Sequence, residues 1–188
     1  MILLIDNFDS FSYNLYQMIG VINPDIRVVR NNELSVEDVR ALAPSHIVLG
    51  PGPGRPEDAG ITMDVARTVS TEIPTLGVCL GEQAICAAYG ATVTYADSLM
   101  HGKQSDVTFD TNSVLFRDCP QVGSVARYHS LVADASTLPD ELRVTGATAT
   151  GEVMAVEHTR YPIYGVQFHP ESILTPNGEK MIRNFLAL

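Results

Sequence analysis

Short apolar runs at Ile2–Ile5, Ile26–Val29, Ile47–Leu49 and Thr75–Val78 alternate with amphipathic stretches, and this alternation constrains the fold more than any other feature of the chain. A brief, continuous apolar run suits a strand buried on both faces. Apolar residues three and four apart suit a helix that covers such a sheet. Ser10 is placed to cap a first helix whose apolar face is Phe11, Leu15, Met18 and Ile22. Ser35 starts a second, with Asp38 positioned as in a capping box and Val36, Val39 and Ala43 on one side. Ile61, Val65 and Val69 mark a third, and a small-residue helix with Ala84, Ala87 and Ala88 follows Val78 directly. Strands alternating with helices imply βαβ units, hence an α/β fold: an open, mostly parallel twisted sheet with helices on both faces.

From Ala91 to Ala155 the pattern changes to short strands and turns, such as Val107–Phe109, Arg143–Thr145 and Val153–Val156. This predicts a small antiparallel excursion flanking the main sheet. Tyr164–Phe168 reads as a late strand rejoining the core. Thr175 and Pro176 then read as N-cap and first residue of a final helix that buries Ile182, Phe185 and Leu186. A chain of 188 residues fits one domain, 1–188. Ligands of such sheets bind outside the carboxyl ends of the strands, which directs attention to the loops after Leu49, Val78 and Phe168.

Charge narrows the partners. A formal net charge of -10 with no Lys/Arg run argues against nucleic acid. No apolar stretch approaches the ~18 residues of a membrane span. The apolar N-terminus has no basic flank and is cut off by Asp6 and Asp9, so it reads as a strand and not a signal peptide. Three cysteines, Cys79, Cys86 and Cys119, are too few and too irregular for a disulfide framework, and a reducing cytoplasm is expected. No Cys/His cluster has zinc spacing.

Gly77-Val78-Cys79-Leu80-Gly81 ends an apolar strand and opens a helix. The layout is that of a nucleophile elbow with cysteine at its centre: paired glycines allow a tight turn that lifts the side chain off the sheet. The N-terminus of the following helix favours a thiolate there. Cys86 and Cys119 lack this setting and read as small buried hydrophobes.

A thiol nucleophile needs a base, and the base needs an orienting group. His169 supplies an imidazole. Glu171, two residues on, can lie on the same side of an extended segment stiffened by Pro170. Gly50-Pro51-Gly52-Pro53-Gly54 offers a rigid loop whose backbone N–H groups can approach a ligand and donate to an oxyanion; read alone, it serves equally well as a rigid turn.

Together, Cys79 in GVCLGEQ, His169 and Glu171 in FHPES, and PGPG resemble the class I glutamine amidotransferases. LIDNFDSFSYNL, PGPGRPEDAG, MHGK, RYHSLV and GVQFHPESILT are similar to the glutaminase component of anthranilate synthase, and almost equally to its counterpart in aminodeoxychorismate synthase. The resemblance runs from end to end. It implies Cys79 as nucleophile, His169 as acid–base and Glu171 as its orienting group. It implies a glutamine pocket at Gly52, Pro53, Gly54, Gln83, Ser130 and Leu131, with the N–H groups of Gly52 and Leu80 as oxyanion hole. It further implies L-glutamine as substrate and, as partner, a chorismate-binding synthase in a heterodimer or heterotetramer. No cofactor or metal is expected in this chain; the family's magnesium belongs to the synthase. On residue type alone, Gln83, Ser130 and His129 are an ordinary first-turn helix residue, a turn residue and a partly buried core histidine, and His101 and Lys103 of MHGK fit a solvated turn as easily as a site.

One position departs from the family: Glu82 stands where histidine usually precedes Gln83. Aimed at Cys79, its charge would oppose a thiolate; it is expected to point elsewhere, because the resemblance gives His169 as the base. The competing readings are a free-standing cysteine hydrolase and a weakly active regulatory or scaffold subunit.

Overall fold

The computed structural model describes residues 1–96 and 102–188. The first half builds the parallel part of a sheet: β1 (Ile2–Asp6), β2 (Ile26–Arg30), β3 (His46–Leu49) and β4 (Thr75–Val78), interleaved with α1 (Ser12–Ile22), α2 (Val36–Leu42) and α3 (Thr62–Arg67). Helix α4 (Leu80–Ala88) leaves β4 at once. Strands β5 (Val93–Tyr95), β6 (Lys103–Phe109), β7 (Val122–Arg127), β8 (Leu131–Ala133), β9 (Leu142–Thr148), β10 (Val153–His158) and β11 (Ile163–Val166) follow, and α5 (Gly178–Leu186) closes the order.

Nine of these strands form one sheet in the order β2-β1-β3-β4-β11-β10-β9-β6-β7. The five from β2 to β11 are parallel, and the remaining four join antiparallel. The α/β class stands as read from the sequence. The antiparallel stretch prolongs the same sheet by four strands, with β5 and β8 paired beside it.

Period-two alternation divides the core. Ile2 and Leu4 face the side covered by Leu15 and Ile19 of α1 and Met181, Ile182 and Phe185 of α5. Leu3 and Ile5 face Val39 of α2, Val65 and Ala66 of α3, and Ile85 and Cys86 of α4. Every residue of β1 is buried, and each large aliphatic side chain so placed contributes roughly 1.5–3 kcal/mol. Among the described residues no helix is long and apolar enough to cross a membrane.

Several helix boundaries differ from the sequence reading, each for a tertiary reason. Ser10 does not cap α1. Asp9 accepts from the Phe11 N–H at 2.7 Å, and Ser12 donates to Asp6 at 2.6 Å, so the helix is tied to the end of β1. Ser35 does form the capping box with Asp38, but Ala43 is exposed and takes the left-handed conformation (φ 44°) that ends α2. Val69 lies beyond the end of α3, in a short 3-10 turn. Strand β11 stops at Val166, short of Phe168.

Thr175 and Pro176 do not start α5, which begins at Gly178 after Asn177. The Thr175 hydroxyl instead donates to the His169 carbonyl at 2.7 Å and accepts from the Ala126 N–H at 3.0 Å. A tertiary role has taken the side chain that a cap would need. His101 lies outside the described residues; Lys103 is exposed and opens β6 opposite Arg127.

Candidate active site

The strand order reverses beside β1, so the carboxyl ends of β1, β3, β4 and β11 share one edge. Cys79 sits there with φ 54° and ψ -105°, a conformation that non-glycine residues adopt at a cost of ~1–3 kcal/mol and that clusters at functional sites. Its neighbours hold it. A Cβ on Gly77 would lie 2.5 Å from the Gly81 carbonyl carbon, and one on Gly81 would lie 2.1 Å from the Leu49 carbonyl oxygen. Strand, elbow and helix therefore meet backbone to backbone. The Cys79 N–H prolongs the ladder by donating to Val166 at 2.8 Å, and its carbonyl accepts from the Gln83 N–H at 3.1 Å.

His169 arrives just past β11, with its N–H donating to Ala126 at 3.1 Å. The segment after it is a turn, where the sequence suggests an extended chain. The Ser172 N–H donates back to the His169 carbonyl at 3.3 Å with Pro170 at the first corner. That turn swings Glu171 round so that Oε1 lies 2.6 Å from Nδ1 of His169. Gly178 presses against Pro170 from beneath, where a Cβ would overlap the Pro170 carbonyl. The rings of Phe11 and Tyr128 flank the imidazole with centroids 5.2 and 5.1 Å away. His169 is 2% exposed. Burial works against a charged ring, but hydrogen bonds to Cys79 and Glu171 and their charges override it, pushing His169 up to about 10.

A cavity of about 140 Å³ opens in front of Cys79 and is lined by Gly52, Pro53, Gly54, Gln83, Tyr128, His129, Ser130 and Leu131. Every pocket position implied by the family resemblance except Leu80 lies on its wall. The Leu80 N–H is the first of α4, where helix geometry leaves it unpaired. The Gly52 loop touches the same place: a Cβ there would stand 2.5 Å from Asn7 Cβ and 2.7 Å from Leu80 Cδ2. Three larger depressions, including one lined by Tyr89, His158 and Tyr161, do not touch Cys79, His169 or Glu171. Among the described residues no group of three or more His, Cys, Asp or Glu is placed to hold a metal.

Asn7 escaped the residue-by-residue reading. Its amide donates to the Gly50 carbonyl at 2.8 Å and its oxygen accepts from Asn31 and Thr62 at 2.9 and 2.8 Å, pinning the glycine-proline loop over β1. A polar residue directly after a buried strand is the one sequence signal that points to it.

Glu82 points away from the thiol of Cys79, as expected. It is fully buried, its Cγ side lies against Gly165 of β11, and its Oε1 accepts from Cys86 at 3.3 Å. Burial pushes it up to about 8, with the Cys86 hydrogen bond opposing, which favours the protonated side chain. His129 is also buried. Desolvation and the adjacent Arg127 push it down to about 4.

Comparison with known proteins places the chain in a family. The family model described as glutamine amidotransferase class-I matches residues 3–188. Anthranilate synthase component II of Haloarcula marismortui is 49% identical over 187 residues, covering 98% of this chain and 96% of that protein. Aminodeoxychorismate/anthranilate synthase component 2 of Bacillus subtilis is 43% identical over 186 residues, covering 99% and 95%. The chain also matches longer relatives, spanning 32% of the bifunctional protein TrpGD of Thermotoga maritima and 24% of a multifunctional tryptophan biosynthesis protein of Phycomyces blakesleeanus. Among solved structures, a GMP synthase component from Thermoplasma acidophilum superposes with a TM-score of 0.87 at 25% identity, covering 99% of this chain and 92% of that one. Matched along nearly its whole length, the chain belongs to the class-I glutamine amidotransferase family.

Proposed function

We propose that this chain is a glutaminase subunit that hydrolyses L-glutamine to glutamate and passes the ammonia to a chorismate-binding synthase, in first place anthranilate synthase of tryptophan biosynthesis. The observation that carries the reading is the strained Cys79 elbow on the wall of a cavity of about 140 Å³, with its thiol coupled to the buried His169–Glu171 pair.

The chemistry follows from the arrangement. The Cys79 thiolate attacks the side-chain amide carbon of glutamine, and the N–H groups of Leu80 and Gly52 receive the developing oxyanion. The His169 imidazolium gives its proton to the departing nitrogen, which leaves as ammonia, and a glutamyl thioester remains. The neutral imidazole then takes a proton from water as that water attacks the thioester. The thiolate and the new γ-carboxylic acid separate, the imidazolium is restored, and the acid releases its remaining proton to solvent as glutamate leaves. Glu171 holds the ring with Nδ1 engaged so that the other nitrogen faces the sulfur. Glu82, neutral and turned toward Cys86, leaves the thiolate unopposed.

A second reading keeps the chemistry and changes the acceptor, to aminodeoxychorismate synthase of folate biosynthesis, or to both synthases sharing one glutaminase. The name of the Bacillus subtilis relative, which joins the two synthases, supports it. Glutamate release by the purified chain, alone and with each candidate synthase and chorismate, separates these cases. Stimulation by one synthase identifies the pathway and stimulation by both means a shared glutaminase. Background rates throughout would return weight to a regulatory role.

A further inference from the structure

The cavity wall opposite the elbow is held by a hydrogen-bond chain that begins outside the catalytic residues. Arg127, at the end of β7, is 2% exposed. Its guanidinium donates to Glu152, to Ser105 at 3.2 Å and, through Nε, to Nε2 of His129 at 3.0 Å. Arginine has no acceptor, so Nε2 of His129 must accept and its ring proton sits on Nδ1. Nδ1 therefore donates to the Leu131 carbonyl at 2.9 Å. The same carbonyl accepts from Nε2 of Gln83, also at 2.9 Å. The second hydrogen of that amide goes to Gln167 Oε1 at 2.8 Å. The Leu131 carbonyl can only accept, so Gln83 turns its amide nitrogen to it, and Oε1 is left as the atom of the Gln83 amide free for a ligand.

We propose that Arg127 and His129 are positioning residues for the substrate pocket: Arg127 fixes the tautomer of His129, and the Nδ1 proton of His129 holds the Leu131 carbonyl where it receives the Gln83 amide. The proposal rests on the glutaminase reading above. It assigns a use to two buried polar residues that the covalent chemistry leaves idle. A buried donor and acceptor pair that served only the fold could be replaced by apolar groups of like shape with little loss. A pair that orients a pocket cannot, because the pocket's polarity depends on it.

The test compares His129→Leu, which fills the space without a donor, with His129→Asn, whose amide nitrogen can stand in for Nδ1. Glutamine turnover is measured in the presence of the synthase that stimulates the wild type. Alkylation of Cys79 by iodoacetamide, a small reagent that makes no use of the pocket's polar groups, reports the thiol separately. His129→Leu is expected to raise KM for glutamine about tenfold, the equivalent of one hydrogen bond, with kcat changed less than about twofold and alkylation unaltered. His129→Asn is expected to recover most of the affinity. Unchanged KM in His129→Leu, equal behaviour of the two variants, or parallel loss of KM, kcat and alkylation overturns the proposal. Should His129→Leu fail to fold, Arg127→Lys, which keeps the pairing to Glu152 and lacks the fork to His129, carries the test: unchanged KM there overturns it. Wild-type chain that neither turns over glutamine nor binds it in calorimetry sinks the glutaminase reading and takes this proposal with it; altered KM against an active wild type concerns the network alone.

Discussion

Oε1 of Glu171 lies 2.6 Å from Nδ1 of His169, inside a turn that has Pro170 at its first corner and Gly178 packed against the Pro170 carbonyl. The contact orients the imidazole toward Cys79 and supplies one of the hydrogen bonds that keep it charged. Replacing Glu171 by Gln preserves the shape and removes the charge. His169→Asn should lower kcat by ~10²–10⁴, the range for loss of a general acid–base. Glu171→Gln should lower it less, with KM for glutamine little changed in both. Steady-state kinetics with saturating glutamine checks the order.

The protonation of His169 depends on Cys79. A histidine raised from 6.5 to about 10 contributes stability that is fully present below 6.5 and lost as pH rises through about 10. Burial opposes the charge, so removing the thiol should let the ring titrate lower. In Cys79→Ala the His169 midpoint measured by NMR should fall relative to the wild type. An unmoved midpoint would mean that the sulfur does not share in holding the proton.

Glu82 gives a pH signature of the same sign in a lower window. Its carboxyl is raised from 4.5 to about 8, so the folded chain keeps a proton that the unfolded chain has released. The stability it supports is present below about 4.5 and declines as pH rises to about 8. Glu82→Gln retains an acceptor for Cys86 and cannot ionise. Its melting temperature should match the wild type in acid and exceed it progressively toward pH 8. A difference in melting temperature that is constant across this range contradicts the assignment of a buried neutral acid.

Two glycine substitutions separate close approach from backbone conformation. Gly81→Ala drives a methyl to 2.1 Å from the Leu49 carbonyl and should destabilise by ~1–3 kcal/mol or more while disordering the elbow, read as loss of Cys79 alkylation. Gly54→Ala meets nothing within 4 Å but carries φ +80°, so its cost should be only ~1–2 kcal/mol of backbone strain. Denaturant unfolding of the pair gives both numbers.

The elbow at Cys79 was legible because everything that makes it is local: an apolar strand, two glycines and an abrupt helix. The same holds for the capping box of Ser35 and Asp38. Thr175 misled because its hydroxyl serves Ala126 and His169, partners that local spacing does not show. Ser10 misled because Asp6 and Asp9 anchor that turn instead. Asn7 and the Arg127–His129 chain went unread for the same reason. Their partners, such as Thr62 and Glu152, are brought together only by the sheet order. Glu171 was paired correctly with His169, but by a turn, since the carbonyl of His169 is used by Ser172 and Thr175.

Cys79 as the nucleophile is tested most directly by the Cys79→Ala chain assembled with its synthase and chorismate, with amination supplied first by glutamine and then by ammonium salt. Glutamine-dependent product should fall to background while ammonia-dependent product stays at the wild-type level. Glutamine-dependent synthesis undiminished by the substitution would contradict the assignment.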